Sequence, residues 1–167
     1  VLLRARRVYT ILYGFADAFG SGFGSTILLD GGIKYRIGTW GSDSEEDSSN
    51  WREFENMVAA LREEDEAGNL VDALIFLCTD NSTVEAASEK GNSSSEKLFK
   101  LTLEVRTIAM RNNACCIISH VSGKRMEGQG TDGVSRGQLK EGVSAGKSML
   151  SFIPFHLSSI QRSPPVK

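Results

Sequence analysis

The chain of 167 residues has little of what marks a secreted, thiolate-binding or membrane protein. Its three cysteines form no C-x-x-C pair and no even set, so the sequence predicts neither a metal–thiolate site nor a disulfide framework. No apolar run approaches the roughly 20 residues that cross a bilayer, and the N-terminal residues lack a signal-peptide pattern. We therefore expect an intracellular protein, cytoplasmic or nuclear, with no membrane partner.

A nucleotide-binding glycine loop is missing as well. Gly20, Gly22 and Gly24 follow an apolar run in GFADAFGSGFGSTILL (14–29), but no lysine comes after them and the next residues are β-prone. A P-loop needs the lysine, and a dinucleotide fingerprint needs a helix at that point. The glycines therefore predict a turn between two strands, with Asp17 at the end of the first strand.

The net charge of −2 hides an uneven distribution. Residues 43–66 hold ten acids and two arginines, a net charge of −8, which leaves eleven acids and seventeen bases elsewhere, a net charge of +6. A basic remainder permits a nucleic-acid partner.

Hydrophobic periodicity predicts an α/β domain. β-Branched and aromatic runs joined by glycine turns predict three antiparallel strands, and short apolar runs such as DALIFLCT predict strands covered on both faces. Apolar residues at i, i+3, i+4 and i+7 predict the first long helix. The predicted strands are 8–16, 25–29, 33–40, 72–79 and 114–120, and the predicted helices are 50–66, 83–90 and 94–112, with another beginning near 131.

Polar residues predict where these helices begin. Asn50 is the expected N-cap of the first helix, and Ser82-x-x-Glu85 and Ser93-x-x-Glu96 match the capping box. The resulting order, β-β-β-α-β-α-α-β-α, indicates a mixed sheet with helices on its faces.

Four acidic residues fall where predicted elements end or begin. Asp17 and Asp80 end strands, Glu53 lies in the first turn of the first long helix, and Asp132 lies where the last helix begins. Each one alone also fits a turn, a cap or a helix-dipole position. Together they predict a cluster at one rim of the sheet, and hard carboxylate ligands suit Mg²⁺ or Mn²⁺.

The order of these motifs resembles the ribonuclease H domain of a retrotransposon reverse transcriptase. That family carries an Asp-Glu-Asp-Asp set, and the matching segments here are ADAFGSGFG, NWREFENMVAAL, FLCTDNSTVEAA and GTDGVSRG. The resemblance implies an α/β, ribonuclease H-like fold over residues 1–137, with antiparallel strands 1–3, parallel strands 4 and 5, and helices on both faces. Residues 138–167 would form a C-terminal extension or tail.

The resemblance carries the catalytic and metal-binding roles onto Asp17, Glu53, Asp80 and Asp132. Glu55 is an alternative to Glu53 that the sequence leaves open. We favour Glu53, because the segment EFENMVAAL matches the family's spacing from Glu53 and because this residue borders the buried face of the predicted helix.

The implied activity is hydrolysis of the RNA strand of an RNA/DNA hybrid by two Mg²⁺ or Mn²⁺ ions about 3.5–4 Å apart. By resemblance, Asp17 would bridge the ions and Asp132 would bind the ion that activates water. Glu53 and Asp80 would bind the ion at the leaving 3′ oxygen, so that the products carry 5′-phosphate and 3′-hydroxyl ends. The implied partners are the hybrid and the reverse-transcriptase portion of the same polyprotein.

Four further residues are candidates for nucleic-acid contacts. Asn81 follows Asp80 at the sheet rim, where 2′-hydroxyl groups would be sensed. Lys124, Arg125 and Arg136 flank the proposed site, as expected for phosphate contacts.

Two other functions remain open at this point. A non-catalytic nucleic-acid-binding or scaffolding module of the same fold usually lacks one ligand acid, whereas all four acids are present here. A DNA-directed nuclease or integrase-like transferase generally uses three acids at a different spacing.

Overall fold

Five strands form one mixed sheet in the computed structural model, which describes residues 10–29, 32–41, 48–124, 126 and 135–136. The strands are β1 (Thr10–Phe19), β2 (Gly22–Leu29), β3 (Gly32–Thr39), β4 (Ala73–Thr79) and β5 (Cys115–His120). Their order across the sheet is β3-β2-β1-β4-β5, with β1, β2 and β3 antiparallel and β4 parallel to both β1 and β5. The predicted strand directions are confirmed.

Three helices pack on one face of this sheet: α1 (Ser49–Glu66), α2 (Ser82–Lys90) and α3 (Glu96–Arg111). Their apolar residues join those of β1, β2, β4 and β5 in one core, in which Phe54 and Leu61 of α1 are fully buried. No helix in the described part of the chain combines the length and the apolar character needed to cross a bilayer. The helix predicted near 131 and the domain boundary at 137 lie outside the described residues.

The opposite face of the sheet carries a smaller aromatic core. Tyr13 and Phe15 alternate with the residues of β1 that face the helices, and they pack with Phe76 and Met126. The rings of Tyr13 and Phe76 stack with their centroids 5.4 Å apart. Because β1 is buried on both faces, packing on each side fixes the position of its backbone just before Asp17.

The first hairpin is longer and tighter than predicted. β1 continues past Asp17 to Phe19, because β2 begins at Gly22 and pairs Asp17 with Gly24. The turn consists only of Gly20 and Ser21, and Gly20 has a positive φ of 42°. Asp17 therefore lies within the strand, two residues before its end.

The predicted helix caps were wrong by one or two residues. Ser48 rather than Asn50 caps α1, since its hydroxyl accepts a hydrogen bond from the backbone N–H of Trp51, and Glu53 consequently lies in the second turn. Asn81 caps α2 and Ser95 caps α3. Each of these helices follows a run of short polar residues, any of which has the chemistry of an N-cap.

Gly14 provides a test of the packing between β1 and its two neighbours. A Cβ at this position would lie 2.6 Å from Leu77 Cδ2 and 2.8 Å from Ile27 Cδ1, the side chains of its partners across the sheet. We expect Gly14→Val to lower the free energy of unfolding by roughly 1–3 kcal/mol in urea titrations, because the core must be overpacked. Gly41→Val is the control, since a Cβ there meets nothing within 4 Å. Equal stability of the two variants would contradict the described packing.

Candidate metal centre

Three predicted acids converge at the rim where β1 and β4 end. Asp17 lies on β1, Glu53 on α1, and Asp80 directly after β4. One carboxylate oxygen from each lies within 4.8 Å of the others. The parallel pairing of β1 with β4 brings their carboxyl ends to the same edge, and α1 packs against β1. Residues 63 positions apart in the chain therefore share one site.

Glu53 is the buried member of this cluster, with 7% of its surface exposed. The Thr79 hydroxyl donates a hydrogen bond to Oε1, and the Asn81 side-chain amide donates one to Oε2 at 3.2 Å. The pKa of Glu53 is raised from its ordinary value of 4.5 to about 7, mainly by burial and to a smaller extent by the charges of Asp80 and Asp17, while the two hydrogen bonds act in the opposite direction. At neutral pH this carboxyl group is poised between its protonated and ionised forms.

Asp17 is held through both its side chain and its backbone. The hydroxyl of Ser135, a residue only 3% exposed, donates to Oδ2 at 2.8 Å. The Asn56 side-chain amide donates to the Asp17 carbonyl at 2.9 Å. These contacts come from residues 39 and 118 positions away in sequence.

Asp80 is the exposed member and faces solvent at the mouth of the site. A Cβ at Gly123 would lie 3.5 Å from its Oδ2, so the chain after β5 passes directly beside it. His120 at the end of β5 contacts the backbone carbonyl of Asp80 through Nε2 at 3.1 Å. The backbone N–H of His120 donates a hydrogen bond to Glu85 Oε1. His120 thus supports the backbone beside the cluster.

The alternative ligand Glu55 points to a different part of the molecule. Its carboxylate accepts a hydrogen bond of 2.6 Å from Arg62, which also bonds Glu104 on α3. This arrangement ties α1 to α3. The structure therefore brings Glu53, and not Glu55, to Asp17 and Asp80.

Of four further predicted site residues, the structure describes two, Lys124 and Arg136. Asp132 and Arg125 lie outside the described residues. Lys124 is exposed and follows Gly123, while Arg136 follows Ser135 and stacks 4.1 Å over the Phe19 ring. Both basic residues therefore border chain segments that touch the cluster.

Asn81 is already engaged by protein partners. Its side-chain oxygen accepts from the N–H groups of Thr83 and Val84, which caps α2. Its amide donates to Asn50 at 2.8 Å as well as to Glu53. These contacts orient Glu53, whereas a nucleic-acid contact by Asn81 stays a prediction.

The donor set fits a hard divalent cation. All three groups are carboxylates, and their mutual repulsion within 4.8 Å is relieved by either a proton or a cation. Mg²⁺ and Mn²⁺ prefer such oxygen ligands. The hydrogen bonds from Thr79, Asn81 and Ser135 are of the kind that orients metal ligands.

The residues that orient the acids were missed from the sequence. Thr79 directly precedes Asp80, and its position at the end of a strand was the available signal. Ser135 and Asn56 give no pattern of their own, because a single serine or asparagine is common on any surface. Their burial and their hydrogen bonds to Asp17 show that they orient this residue.

No protein-family model and no curated protein sequence matches the chain. Solved structures do match it. RNase H1 from the halophilic archaeon Halobacterium salinarum aligns with a TM-score of 0.58 at 20% identity, covering 78% of this chain and 97% of that one. LC11-RNase H1 from a compost metagenome, solved in complex with an RNA/DNA hybrid, aligns with a TM-score of 0.60 at 18% identity, covering 77% and 95%.

A third structure is the N-terminal RNase H domain of a Mycobacterium tuberculosis protein. It aligns with a TM-score of 0.53 at 15% identity and covers 84% of this chain and 98% of that one. At these identities the likeness establishes the fold. The chain has a ribonuclease H-like fold, as the motifs suggested.

The raised pKa of Glu53 predicts a pH-dependent stability. Between pH 5 and pH 8 the folded state holds this proton more tightly than the unfolded state, so the free energy of unfolding falls as pH rises, by up to about 3 kcal/mol from this group alone. Glu53→Gln should remove that part of the slope. Urea titrations of both proteins without divalent metal, at several pH values, measure the difference.

Added Mg²⁺ should counteract this loss most strongly at pH 8, where the carboxylates are ionised, and it should stabilise Glu53→Gln less than the wild type. Identical pH slopes for the two proteins would show that the pKa of Glu53 is not raised in the folded state.

Proposed function

We propose that this protein is a metal-dependent endoribonuclease that hydrolyses the RNA strand of RNA/DNA hybrids. The observation that carries the proposal is the convergence of Asp17, Glu53 and Asp80 from three separate elements at one sheet edge. Support also comes from the fold, since the solved structures that share it include RNase H1 proteins, one of them bound to an RNA/DNA hybrid.

Asp17, Glu53 and Asp80 would hold two Mg²⁺ or Mn²⁺ ions, with Asp132 as the proposed fourth ligand. When bound, such ions supply an activated water and stabilise the charge on the leaving 3′ oxygen. The separate motifs for the third and fourth acids favour this function over an integrase-like transferase. The presence of all four acids favours it over a non-catalytic module.

The chain's own groups fix the ligand carboxylates before substrate arrives. Thr79 and Asn81 each donate to one oxygen of Glu53, which sets the rotation of that carboxylate. Ser135 does the same for Asp17. Ligands held in this way need not reorganise during the reaction, which is the main source of electrostatic catalysis.

Basic residues next to the cluster would bind the backbone of the hybrid. Lys124 is exposed beside the segment that touches Asp80, and Arg136 is exposed beside the segment that touches Asp17. We propose that both contact phosphates, together with Arg125. Such contacts position the duplex without reading its sequence.

We also propose that the natural partner is the reverse-transcriptase portion of the same polyprotein. The order and the amino-acid sequences of the motifs, from ADAFGSGFG to GTDGVSR, support a place beside a reverse transcriptase.

A cleavage assay tests the proposed activity. The protein is incubated with Mg²⁺ or Mn²⁺ and an end-labelled RNA strand paired with DNA, beside duplex DNA, duplex RNA and single-stranded RNA. We expect cleavage of the hybrid alone, abolished by EDTA. Asp80→Asn should lower the rate by more than the roughly 10- to 100-fold typical for the loss of a residue that only supports a ligand.

Asp72→Asn is the matched control. Asp72 precedes β4, roughly 25 Å along the strand from Asp80, and asparagine tolerates its positive φ of 53°. This variant should cleave like the wild type. Absence of metal-dependent cleavage by the wild type, or equal rates for Asp80→Asn, would refute the proposed activity and favour a binding module.

A further inference from the structure

A single buried amide ties together the elements that carry Asp17 and Glu53. Asn56 lies on α1, three residues after Glu53, and none of its surface is exposed. Its NH₂ group donates to the carbonyls of Asp17 at 2.9 Å and Gly24 at 2.8 Å. Its Oδ1 accepts a hydrogen bond of 2.9 Å from Arg36 on β3. One side chain thus joins α1 to three strands.

Arg36 determines the orientation of the Asn56 amide, that is, which side carries the oxygen and which the NH₂ group. A guanidinium group can only donate and a backbone carbonyl can only accept, so Oδ1 of Asn56 must face Arg36 and the NH₂ group must face the two carbonyls. Arg36 is itself fixed, because its Nε donates to Glu63 at 2.6 Å and its guanidinium lies 4.5 Å over the Phe23 ring. The orientation of Asn56 is therefore unambiguous.

Asn56 holds the backbone at Asp17, the residue whose carboxylate is a proposed metal ligand. Asp17 and Gly24 are paired across the β1–β2 hairpin, whereas the pairing of β1 with β4 ends at Phe15 and Cys78. Beyond Phe15 the hairpin is anchored to α1 by the buried Asn56 and, at its turn, by the exposed hydrogen bond of 2.8 Å from Arg52 to the Gly20 carbonyl. Glu53 lies three residues earlier than Asn56 on the same helix, a rise of about 4.5 Å.

We propose that Asn56, oriented by Arg36, is a positioning residue that sets the separation of the Asp17 and Glu53 carboxylates and thereby the affinity of the site for divalent metal. The inference rests on the proposed metal site. Asn56 would contact neither substrate nor metal. Its effect passes through the backbone of Asp17 and through the helix that bears Glu53.

Metal binding can be measured independently of cleavage. Isothermal titration with Mn²⁺ is performed on the wild type and on Asn56→Leu, which keeps the size of the side chain but removes both its donor and its acceptor. We expect the affinity for Mn²⁺ to fall about 10- to 100-fold, the range found when a residue that supports a ligand is removed. Cleavage by this variant should recover at high Mg²⁺, while KM for the hybrid stays unchanged.

Asn112→Leu is the matched control. Asn112 is also a buried asparagine whose amide donates to two oxygens, those of Asp65 and Ile108, but it lies at the end of α3. It should lose stability and keep its affinity for Mn²⁺. An equal fall in affinity for both variants, or no fall in a folded Asn56→Leu, would overturn the inference.

A milder pair of variants covers the case in which Asn56→Leu does not fold. Arg36→Met leaves Asn56 in place but removes the donor that orients it, and should weaken Mn²⁺ binding by a factor of a few. Lys34→Met is its control, because Lys34 lies on the same strand and pairs with Glu64 of α1 at 2.9 Å, away from Asn56. Unchanged affinity in Arg36→Met would count against the inference.

The outcomes also separate this inference from the proposed function. If the wild type binds Mn²⁺ and cleaves the hybrid while both Asn56 and Arg36 variants bind Mn²⁺ normally, only the positioning role is wrong. If the wild type binds no Mn²⁺, the proposed metal site and the inference fail together.

Discussion

The packing of α1 across β1 and β2 is the constraint on which both the core and the candidate site depend. Phe54 and Leu61 bury one side of the helix in the main core, which fixes its height and rotation over the sheet. Glu53 and Asn56 lie on neighbouring positions of the same helix, and both reach the end of the β1–β2 hairpin. A shift of α1 would therefore disturb the acid cluster together with the core.

The charges of α1 divide into two groups with different partners. Glu55 and Glu63 pair with arginines and Glu64 pairs with Lys34, so these acids hold α1 to β3 and, through Arg62, to α3. Glu53 instead accepts hydrogen bonds from a hydroxyl and an amide and lies beside two further carboxylates. Negative charge is thus concentrated at one point, where a divalent cation would stabilise the fold as well as supply the proposed chemistry.

The sequence was most informative where side-chain periodicity and strand ends decide the structure. The β-branched and aromatic run of β1 and the apolar run of β4 predicted the central strands, and the rule that parallel strands end at one edge predicted that Asp17 and Asp80 would meet. Cap positions were missed because adjacent serines and asparagines compete for the same N–H groups, and packing of the helix selects among them. Asn56 was missed because its partners are backbone carbonyls 32 and 39 residues away, which no local pattern reports.

Asp17, Glu53 and Asp80 together are the proposed divalent-metal site. Anomalous diffraction from a crystal soaked in Mn²⁺ at about pH 7.5 tests it most directly, because the anomalous signal locates the ion without reference to activity. We expect an anomalous peak in contact with carboxylate oxygens of all three residues. A well-occupied Mn²⁺ peak elsewhere, with none at this cluster, would contradict it.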